Sequence, residues 1–151
     1  METTFAMIKP NAVARGFMGD IISRFEKKGL TISAMKLINV TEEQAKKHYA
    51  CHEGKPFYEG LLKSVMAGPV VVMAITGNEV IKIVRLMAGA TNPLESQPGT
   101  VRGDFSCDMK LNCIHTSDSP ESAEYELGIY FNENDYVGNE KLTDTLIYDH
   151  F

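Results

Sequence analysis

The chain has 151 residues, of which 44% are hydrophobic and 23% charged, a composition typical of one soluble globular domain. The net charge of −5 and the pI of about 5.4 argue against a surface that binds nucleic acid. The longest apolar run, residues 70–75, is too short to span a membrane, and three cysteines without metal-ligand spacing favour reduced thiols. We therefore expect a single domain over residues 1–151 in the cytoplasm, with neither a membrane nor a nucleic acid as its partner.

The first half of the chain alternates strand patterns with helix patterns. Gly29 is a stop signal for the first helix, and the alternation of the second strand changes phase near Ala34, which suggests a β-bulge. Thr41 and Gln44 fit a capping box, and Pro56 fits the first turn of a further helix. The predicted elements are a strand at 3–8, a helix at 19–28, a strand at 30–40, and helices at 41–49 and 56–66.

A buried strand at 70–76 and a helix follow. Asn78 is placed to cap this helix, whose apolar residues through Met87 share one face. Residues 89–111 are rich in glycine, asparagine, proline and serine. A loop of that length inside a compact domain is usually functional or disordered.

The last predicted elements are a short strand at 112–115 and a helix that ends at Phe131. Ser119 can cap this helix and Pro120 can begin it. The tail, residues 132–151, looks irregular, although its terminal aromatic residues are expected to dock. The order of strands and helices matches βαββαβ. We therefore expect an α+β ferredoxin-like sandwich, with helices packed on an antiparallel four-stranded sheet.

The stretch NCIHTSDSP, residues 112–120, places a histidine where an apolar run ends and a helix begins. At a strand end, His115 would be held rigidly and still face a cleft. Glu126 lies in the second turn of the following helix, from where its carboxylate can turn back and hold the imidazole. Ser117 and Ser119 can support this pair by hydrogen bonding. A surface histidine and an exposed helix carboxylate are the alternative interpretation.

The sequence lacks the common motifs of nucleotide and metal chemistry. It has no GxxxxGK[ST] phosphate loop, no GxGxxG fingerprint, no serine nucleophile elbow and no HExxH. Cys51 and His52 could be read as zinc ligands, but no CxxC pair supports that interpretation. The remaining candidates for chemistry stand at strand ends and in the long loop: Lys9, Tyr49, Arg85, Thr91, Arg102, Asn112 and His115.

Five stretches together resemble one known family. They are MIKPNAV at 7–13, KPFYEGL at 55–61, GATNP at 89–93, PGTVRGDF at 98–105 and NCIHTSDSPESAEYELGIYF at 112–131. Taken in order, they cover nearly the whole chain from residue 3 to about 131 without large gaps. They closely resemble nucleoside diphosphate kinase. Any one of these motifs would be weak, but their combination is highly specific.

The resemblance implies a kinase that works by a ping-pong mechanism. A nucleoside triphosphate would give its γ-phosphoryl group to His115, and the phosphohistidine would pass the group to a different nucleoside diphosphate. Tyr49 and Glu126 would position the histidine and its phosphoryl group, and Lys9 would lie near the sugar hydroxyls and the transferred phosphate. Positioning and charge neutralisation are what a loose phosphoryl-transfer transition state requires.

The resemblance also implies a nucleotide site built from residues along the whole chain. Its expected members are Arg85, Thr91 and Arg102 at the phosphates, Asn112 and Lys9 at the ribose, and Phe57 and Met109 on the two faces of the base. Because stacking does not read the base edge, every base would be accepted. Mg²⁺ would bridge phosphate oxygens with little direct protein ligation, so no residue is assigned as a metal ligand.

Family members assemble as hexamers or tetramers. The extension beyond the last helix, residues 132–151, resembles that of the longer-tailed hexamers. We therefore expect a homo-oligomer, and a hexamer rather than a tetramer, whose partners are nucleoside di- and triphosphates.

Two positions depart from the family pattern. Asn11 stands where aspartate is usual, and Thr116 stands where glycine typically follows the histidine. We expect Thr116 to have a negative φ and its carbonyl to accept a hydrogen bond from the His115 ring. We also expect Arg102 and Arg85 to serve phosphates rather than the fold, so that replacing Arg102 changes the melting point little.

Three other interpretations of the sequence compete with that of a kinase. Arg102, Gly103 and Asp104 spell an adhesion tripeptide, which is out of place in a reduced cytosolic chain. The ferredoxin-like fold also hosts RNA-binding modules, but the acidic charge and the lack of an aromatic pair in the strands argue against one. A non-catalytic nucleotide-binding or structural relative would have lost the nucleophile, and here His115 is present.

Overall fold

A computed structural model describes residues 1–137 of the protein. The strands in this part of the chain are β1 (Glu2–Ile8), β2 (Thr31–Ile38), β3 (Val70–Gly77) and β4 (Ile114–Thr116). The helices are α1 (Pro10–Ala14), α2 (Met18–Lys27), α3 (Glu42–His48), α4 (Tyr58–Val65), α5 (Val80–Ala88), α6 (Val101–Phe105) and α7 (Pro120–Tyr130). Short 3₁₀ turns lie at Ala50–His52, Pro93–Glu95, Met109–Leu111 and Glu133–Asp135.

The four strands form one sheet in the order β2-β3-β1-β4, and each neighbouring pair is antiparallel. The two central strands, β3 and β1, are buried on both faces, which explains why β3 reads as a continuous apolar run. The short β4 lies at one edge, where a side chain can be held by the sheet and still reach solvent.

Helices cover both faces of this sheet. One core cluster joins α2 and α5 to the sheet through Ile21, Phe25, Val80, Val84 and Met73. A second cluster joins α3, α4 and α7 to the opposite face through Ala45, Leu62, Val65, Tyr130 and Phe5. The predicted α+β ferredoxin-like fold is confirmed. Because both faces are covered, neither offers the open sheet on which RNA-binding modules stack bases.

Several local signals in the sequence are confirmed. The Thr41 hydroxyl accepts a hydrogen bond from the Gln44 amide at 3.1 Å, and the Gln44 side chain accepts one from the Thr41 amide at 3.0 Å. Gly29 follows α2 with a φ of 90°, a conformation that ends a helix at little cost for glycine. The register of β2 shifts between Ile32 and Ala34, so the predicted bulge is present.

Other local predictions are wrong. Asn78 does not cap α5, because the N-cap residue is Glu79, which has a left-handed φ of 49° and makes no side-chain cap bond. Pro56 lies before α4 rather than in its first turn, since the helix begins at Tyr58. The segment predicted as one long loop contains α6, whose N-terminus is capped by the Thr100 hydroxyl at 3.0 Å from the Gly103 amide.

The beginning of the tail returns to the sheet. The amide of Val137 donates to the carbonyl of Ser33 at 2.8 Å, at the bulge of β2. The expected docking of the terminal aromatic residues concerns residues 138–151, which lie outside the described residues. No helix in the described part of the chain is long and apolar enough to cross a membrane.

Candidate functional site

His115 is positioned by its pairing with β1. In the antiparallel ladder it lies opposite Met7, and residues directly opposite each other point to the same face of a sheet. Two further backbone bonds bracket this short ladder. The Lys9 amide donates to the Cys113 carbonyl at 2.9 Å, and the Ser117 amide donates to the Phe5 carbonyl at 3.1 Å. The His115 side chain is therefore held on the face covered by α3 and α7, and it stays 26% exposed.

Glu126 reaches His115 from α7, as the sequence predicts. Ser119 caps this helix by accepting from the Ser122 amide at 3.1 Å, and Pro120 begins it. The carboxylate Oε1 lies 2.9 Å from His115 Nε2, and the Ser117 hydroxyl donates to Oε2. Ser119 supports the helix rather than the carboxylate.

The environment of Glu126 keeps it ionised and sets the proton position on His115. Burial opposes the charge of Glu126, but the hydrogen bonds from His115 and Ser117 outweigh it and hold the carboxyl pKa below its ordinary value. A carboxylate can only accept, so the neutral imidazole must carry its proton on Nε2. The lone pair of Nδ1 is then free, and no described residue forms a hydrogen bond with that nitrogen.

Thr116 follows the predicted backbone but not the predicted hydrogen bond. Its φ is not positive, since Glu79 is the non-glycine residue with positive φ among residues 1–137. The expected bond from the His115 ring to the Thr116 carbonyl is wrong, because the ring bonds to Glu126. The Thr116 hydroxyl is buried and has no hydrogen-bond partner within the described part of the chain.

A second imidazole, which the sequence did not single out, lies beside the first. The ring centroids of His48 and His115 are 4.7 Å apart. His48 Nδ1 lies 2.9 Å from the Tyr130 hydroxyl, and burial lowers the pKa of His48 to about 3, so this ring is neutral. A signal for His48 existed: it lies three residues after Ala45, on the buried face of α3.

Tyr49, at the end of α3, also belongs to this cluster. Its ring centroid lies 4.8 Å from that of His48. Burial, together with the charge of Glu126, raises the pKa of Tyr49 to about 12, so the phenol keeps its proton and can donate. Tyr49 therefore lies beside His48, which in turn lies beside His115, while its predicted role toward His115 stays a prediction.

Arg102 is a buried cross-link as well as a candidate phosphate ligand. Its guanidinium donates to Asn112 Oδ1 at 3.0 Å, to the Gly89 carbonyl at 2.7 Å and to the Ile114 carbonyl at 3.1 Å. The expectation that Arg102 does not serve the fold is wrong, because these bonds join α6, the end of α5 and β4. Three of its five N–H groups are used, so two remain for a ligand.

Asn112 and Asn11 fix the approach to β4. The Asn11 amide donates to the Asn112 carbonyl at 2.9 Å, while Asn11 Oδ1 accepts from Arg15 at 3.2 Å. An ionised aspartate at position 11 could not make the first bond, because it has no N–H donor. The departure at Asn11 therefore has a structural reason.

Lys9 follows the central strand β1 and lies near the buried arginine. Burial and the positive charge of Arg102 lower the pKa of Lys9 to about 8. Two cations brought together in this way repel each other unless an anion lies between them. The arrangement therefore favours a ligand with negative charge near His115.

The other predicted residues stand at the surface. Phe57 is 52% exposed at the start of α4, and Met109 is 56% exposed in a 3₁₀ turn. Arg85 and Thr91 are exposed on α5 and in the following loop. Arg85 lines a cleft of about 720 Å³, but neither His115 nor Glu126 borders it, so that cleft is not centred on the candidate chemistry.

Two alternative motifs find no support in the geometry. The adhesion tripeptide begins with the buried Arg102, and its Asp104 pairs with Arg24 at 2.6 Å. Cys51 is an exposed free thiol, and His52 Nδ1 lies 3.2 Å from Lys55 Nζ. This is not the arrangement of a metal site shared by Cys51 and His52.

Known proteins of one family resemble this chain over nearly its whole length. A family model described as nucleoside diphosphate kinase matches residues 2–136. A nucleoside diphosphate kinase of Carboxydothermus hydrogenoformans is 52% identical over 149 residues, with 99% of this chain and 100% of that protein covered. One from Archaeoglobus fulgidus is 48% identical, with 99% of each covered.

Solved structures show the same likeness. A nucleoside diphosphate kinase from Halobacterium salinarum in complex with CDP superposes with a TM-score of 0.93 at 39% identity, covering 97% of this chain and 98% of that one. A family protein from Babesia bovis gives a TM-score of 0.95 at 40% identity, covering 98% and 100%.

The fold and these similarities define the protein as a phosphotransferase built on a ferredoxin-like sheet. More particularly, the chain belongs to the nucleoside diphosphate kinase family. The resemblance drawn from the five sequence stretches is confirmed.

Proposed function

We propose that the protein transfers the γ-phosphoryl group of a nucleoside triphosphate to a nucleoside diphosphate through a phosphohistidine at His115. The observation that supports this proposal is the hydrogen bonding of the His115 imidazole. Nε2 is held by the Glu126 carboxylate at 2.9 Å, and the Nδ1 lone pair is free. The Nδ1 lone pair forms the new N–P bond while the bond from Pγ to the β-phosphate oxygen breaks, and the nucleoside diphosphate leaves with those electrons.

The proton on Nε2 stays in place during this step. Attack makes the ring positive, and the adjacent Glu126 carboxylate, itself held by the Ser117 hydroxyl, stabilises that charge. Tyr49 is proposed to donate its phenol proton to the phosphoryl group. The second half-reaction reverses the first with a different nucleoside diphosphate as acceptor. A single site that alternates in this way is the basis of ping-pong kinetics.

The cations near His115 support binding of the transferred phosphate. Lys9, Arg102 and Arg85 are proposed phosphate ligands, with Thr91 as a hydroxyl donor, and charge-assisted bonds of this kind are the strong ones. Arg102 and Arg85 lie close enough for the charge of Arg85 to lower the pKa of Arg102, after the larger effect of burial. The phosphates of a bound nucleotide would relieve the repulsion between these two arginines.

The exposed apolar residues fit the base. Phe57 and Met109 are proposed to cover its two faces, and Asn112 and Lys9 to hold the ribose. The Halobacterium salinarum relative was solved with CDP, and we extend nucleotide binding to this chain on that basis. Stacking without contacts to the base edge accepts all bases.

Mg²⁺ is proposed to arrive on the nucleotide. It prefers oxygen ligands, and the carboxylate nearest His115 is already engaged by His115 and Ser117. A Mg²⁺ ion would therefore be held mainly by the nucleotide and not by the residues around His115. It would neutralise part of the charge of the phosphates. We further propose a cytoplasmic homo-oligomer, with a hexamer favoured over a tetramer.

A labelling experiment tests the phosphohistidine. Purified protein incubated with γ-labelled ATP and Mg²⁺ should acquire an acid-labile, alkali-stable label that unlabelled GDP removes. His115→Ala should abolish both the label and turnover, whereas His52→Ala, at a half-buried histidine that bonds to Lys55, should retain the label. A His115→Ala protein with normal turnover would overturn the proposal.

A further inference from the structure

Beside the proposed nucleophile lies an imidazole nitrogen that phosphoryl transfer leaves unused. The His48 side chain is 2% exposed, and its Nε2 has no hydrogen-bond partner among the described residues. This nitrogen faces Glu126 Oε1 at 4.0 Å. A buried polar atom without a partner is rare in proteins, and an ion or a water is the usual explanation.

Three metal-ligating side chains meet at this point. One ligand atom from each of His48, His115 and Glu126 lies within 4.8 Å of the other two. Tetrahedral zinc, with bonds of about 2.0–2.1 Å, holds its ligands about 3.3 Å from each other. The distances from Glu126 Oε1 to the two ring nitrogens are 2.9 and 4.0 Å, so small side-chain rotations would match them to that geometry.

We propose that His48, His115 and Glu126 form a binding site for a zinc-like transition-metal ion, and that this ion switches off the nucleophile. Two imidazoles and one carboxylate form a ligand set of zinc sites, with a fourth position left for water. The same set suits Mg²⁺ poorly, because Mg²⁺ takes oxygen ligands. The site is therefore distinct from the Mg²⁺ that accompanies the nucleotide.

Hydrogen-bond partners that would orient two of these ligands are already in place. His48 Nδ1 lies 2.9 Å from the Tyr130 hydroxyl, which can accept its N–H once Nε2 binds the metal. The Ser117 hydroxyl donates to the second oxygen of Glu126. Ligating histidines and carboxylates are commonly oriented by partners of these kinds.

A cleft between α3 and α7 borders the site. His48 and Glu126 both line this cleft of about 420 Å³, and its wall also carries a negative charge from Glu121 and a positive charge from Lys47.

The inhibitory effect follows from the single proton of a neutral imidazole. When the metal takes the Nε2 lone pair of His115, the ring proton moves through solvent to Nδ1, and no net proton is released. Nδ1 then lacks the lone pair that attacks phosphorus. This half of the inference rests on the proposed function, whereas metal binding itself does not.

The test begins with Zn²⁺ alone, titrated calorimetrically into the full-length protein without nucleotide. Wild type should bind one equivalent of Zn²⁺. His48→Gln should raise the Kd at least about 100-fold, since losing even a residue that only orients a metal ligand weakens metal binding about 10–100-fold. Tyr130→Phe should weaken binding by about 10–100-fold. The matched controls His52→Gln and Cys51→Ser should bind as wild type does.

A second measurement needs no variant and so does not depend on how His48→Gln folds. NMR of wild type with an NMR-active cadmium isotope and isotope-labelled histidine should show metal coupling to Nε2 of two rings. Coupling to one ring or none, unchanged binding in His48→Gln, or loss of binding in either control would overturn the site.

The labelling reaction separates this inference from the proposed function. Zn²⁺ should suppress the His115 label in excess Mg²⁺, and a chelator should restore it. If wild type becomes labelled but Zn²⁺ neither binds nor suppresses the label, the metal inference alone fails. If Zn²⁺ binds as expected and no label forms even after chelation, the phosphohistidine fails.

Discussion

Replacing Arg102 with alanine should destabilise the protein and weaken catalysis for two separable reasons. The side chain is 6% exposed and donates three bonds, to Asn112 Oδ1, the Gly89 carbonyl and the Ile114 carbonyl. Hydrogen bonds to charged groups contribute about 1.5–3 kcal/mol each. Taking the low end, and allowing for water that enters the vacated space, we expect a loss of about 3–4 kcal/mol in the free energy of unfolding.

Urea unfolding at equal protein concentration measures this loss as a shift of the midpoint at constant slope. Arg15→Ala is the matched control, because Arg15 is exposed, makes one side-chain hydrogen bond, to Asn11 at 3.2 Å, and otherwise lies over the Phe17 ring at 4.9 Å. We expect the control to lose less than about 1 kcal/mol. Equal small losses in both variants would refute the view that Arg102 is a cross-link.

The catalytic effect of Arg102→Ala is measured per folded molecule. The two N–H groups that the protein does not use are the proposed phosphate contacts, so kcat/KM should fall at least about tenfold. A destabilised variant whose folded molecules keep wild-type kcat/KM would show that the arginine serves the fold alone.

Three further predictions concern protonation and burial. Because the pKa of Lys9 is lowered to about 8, kcat/KM should fall as the pH rises above about 8, and Lys9→Arg should remove that fall. If kcat/KM of wild type and of Lys9→Arg fell equally with pH, a phosphate role for Lys9 would be contradicted. The pKa of Glu126 lies below its ordinary 4.5, so its stabilisation is present above that pH and lost as the pH falls through the lower folded-state value. Glu126→Gln should therefore unfold with a weaker acid dependence than wild type, and identical acid profiles would argue against this assignment. Thr116→Val replaces a buried, unpartnered hydroxyl by a methyl group and should raise the free energy of unfolding by about 0.5–1 kcal/mol in urea, whereas a loss would reveal a partner for the hydroxyl.

The parts of the fold that the sequence predicts are those with a local physical cause. Residues 70–75 read as a buried strand because both faces of β3 are covered, and Thr41 with Gln44 marks the start of α3 by reciprocal hydrogen bonds. His115 and Glu126 could be paired for the same reason. A strand end and the second turn of the next helix are close in the chain, and Ser119 with Pro120 sets where that helix begins.

What the sequence could not show depends on contacts between distant segments. His48 and Tyr130 are separated by 82 positions, and no pattern within α3 announces the partner that orients the ring. The burial of Arg102 likewise arises when three segments converge on its guanidinium.

Short elements were missed for a different reason. The five-residue helices α1 and α6 are too short to display a helical period, and α6 lies within a segment whose glycines and prolines signal a loop. Glu79, at the start of α5, has a left-handed conformation that local propensity does not favour for glutamate. The sequence alone therefore predicts Asn78 as the N-cap of this helix.

The shortness of β4 has an evolutionary consequence. The strand that carries His115 has three residues, and its register comes from β1 and the two bracketing bonds at Cys113 and Ser117, while Arg102 and Ser106 tie it to the preceding segment. Insertions and deletions within 89–111 are therefore expected to be tolerated only where they leave the bonds of Arg102 and Ser106 to this strand intact. A single residue inserted between Cys113 and Ser117 would turn the histidine to the opposite face of the sheet. Selection thus acts on the segment before β4 and on the chemistry together, because Arg102 holds the strand that carries the nucleophile.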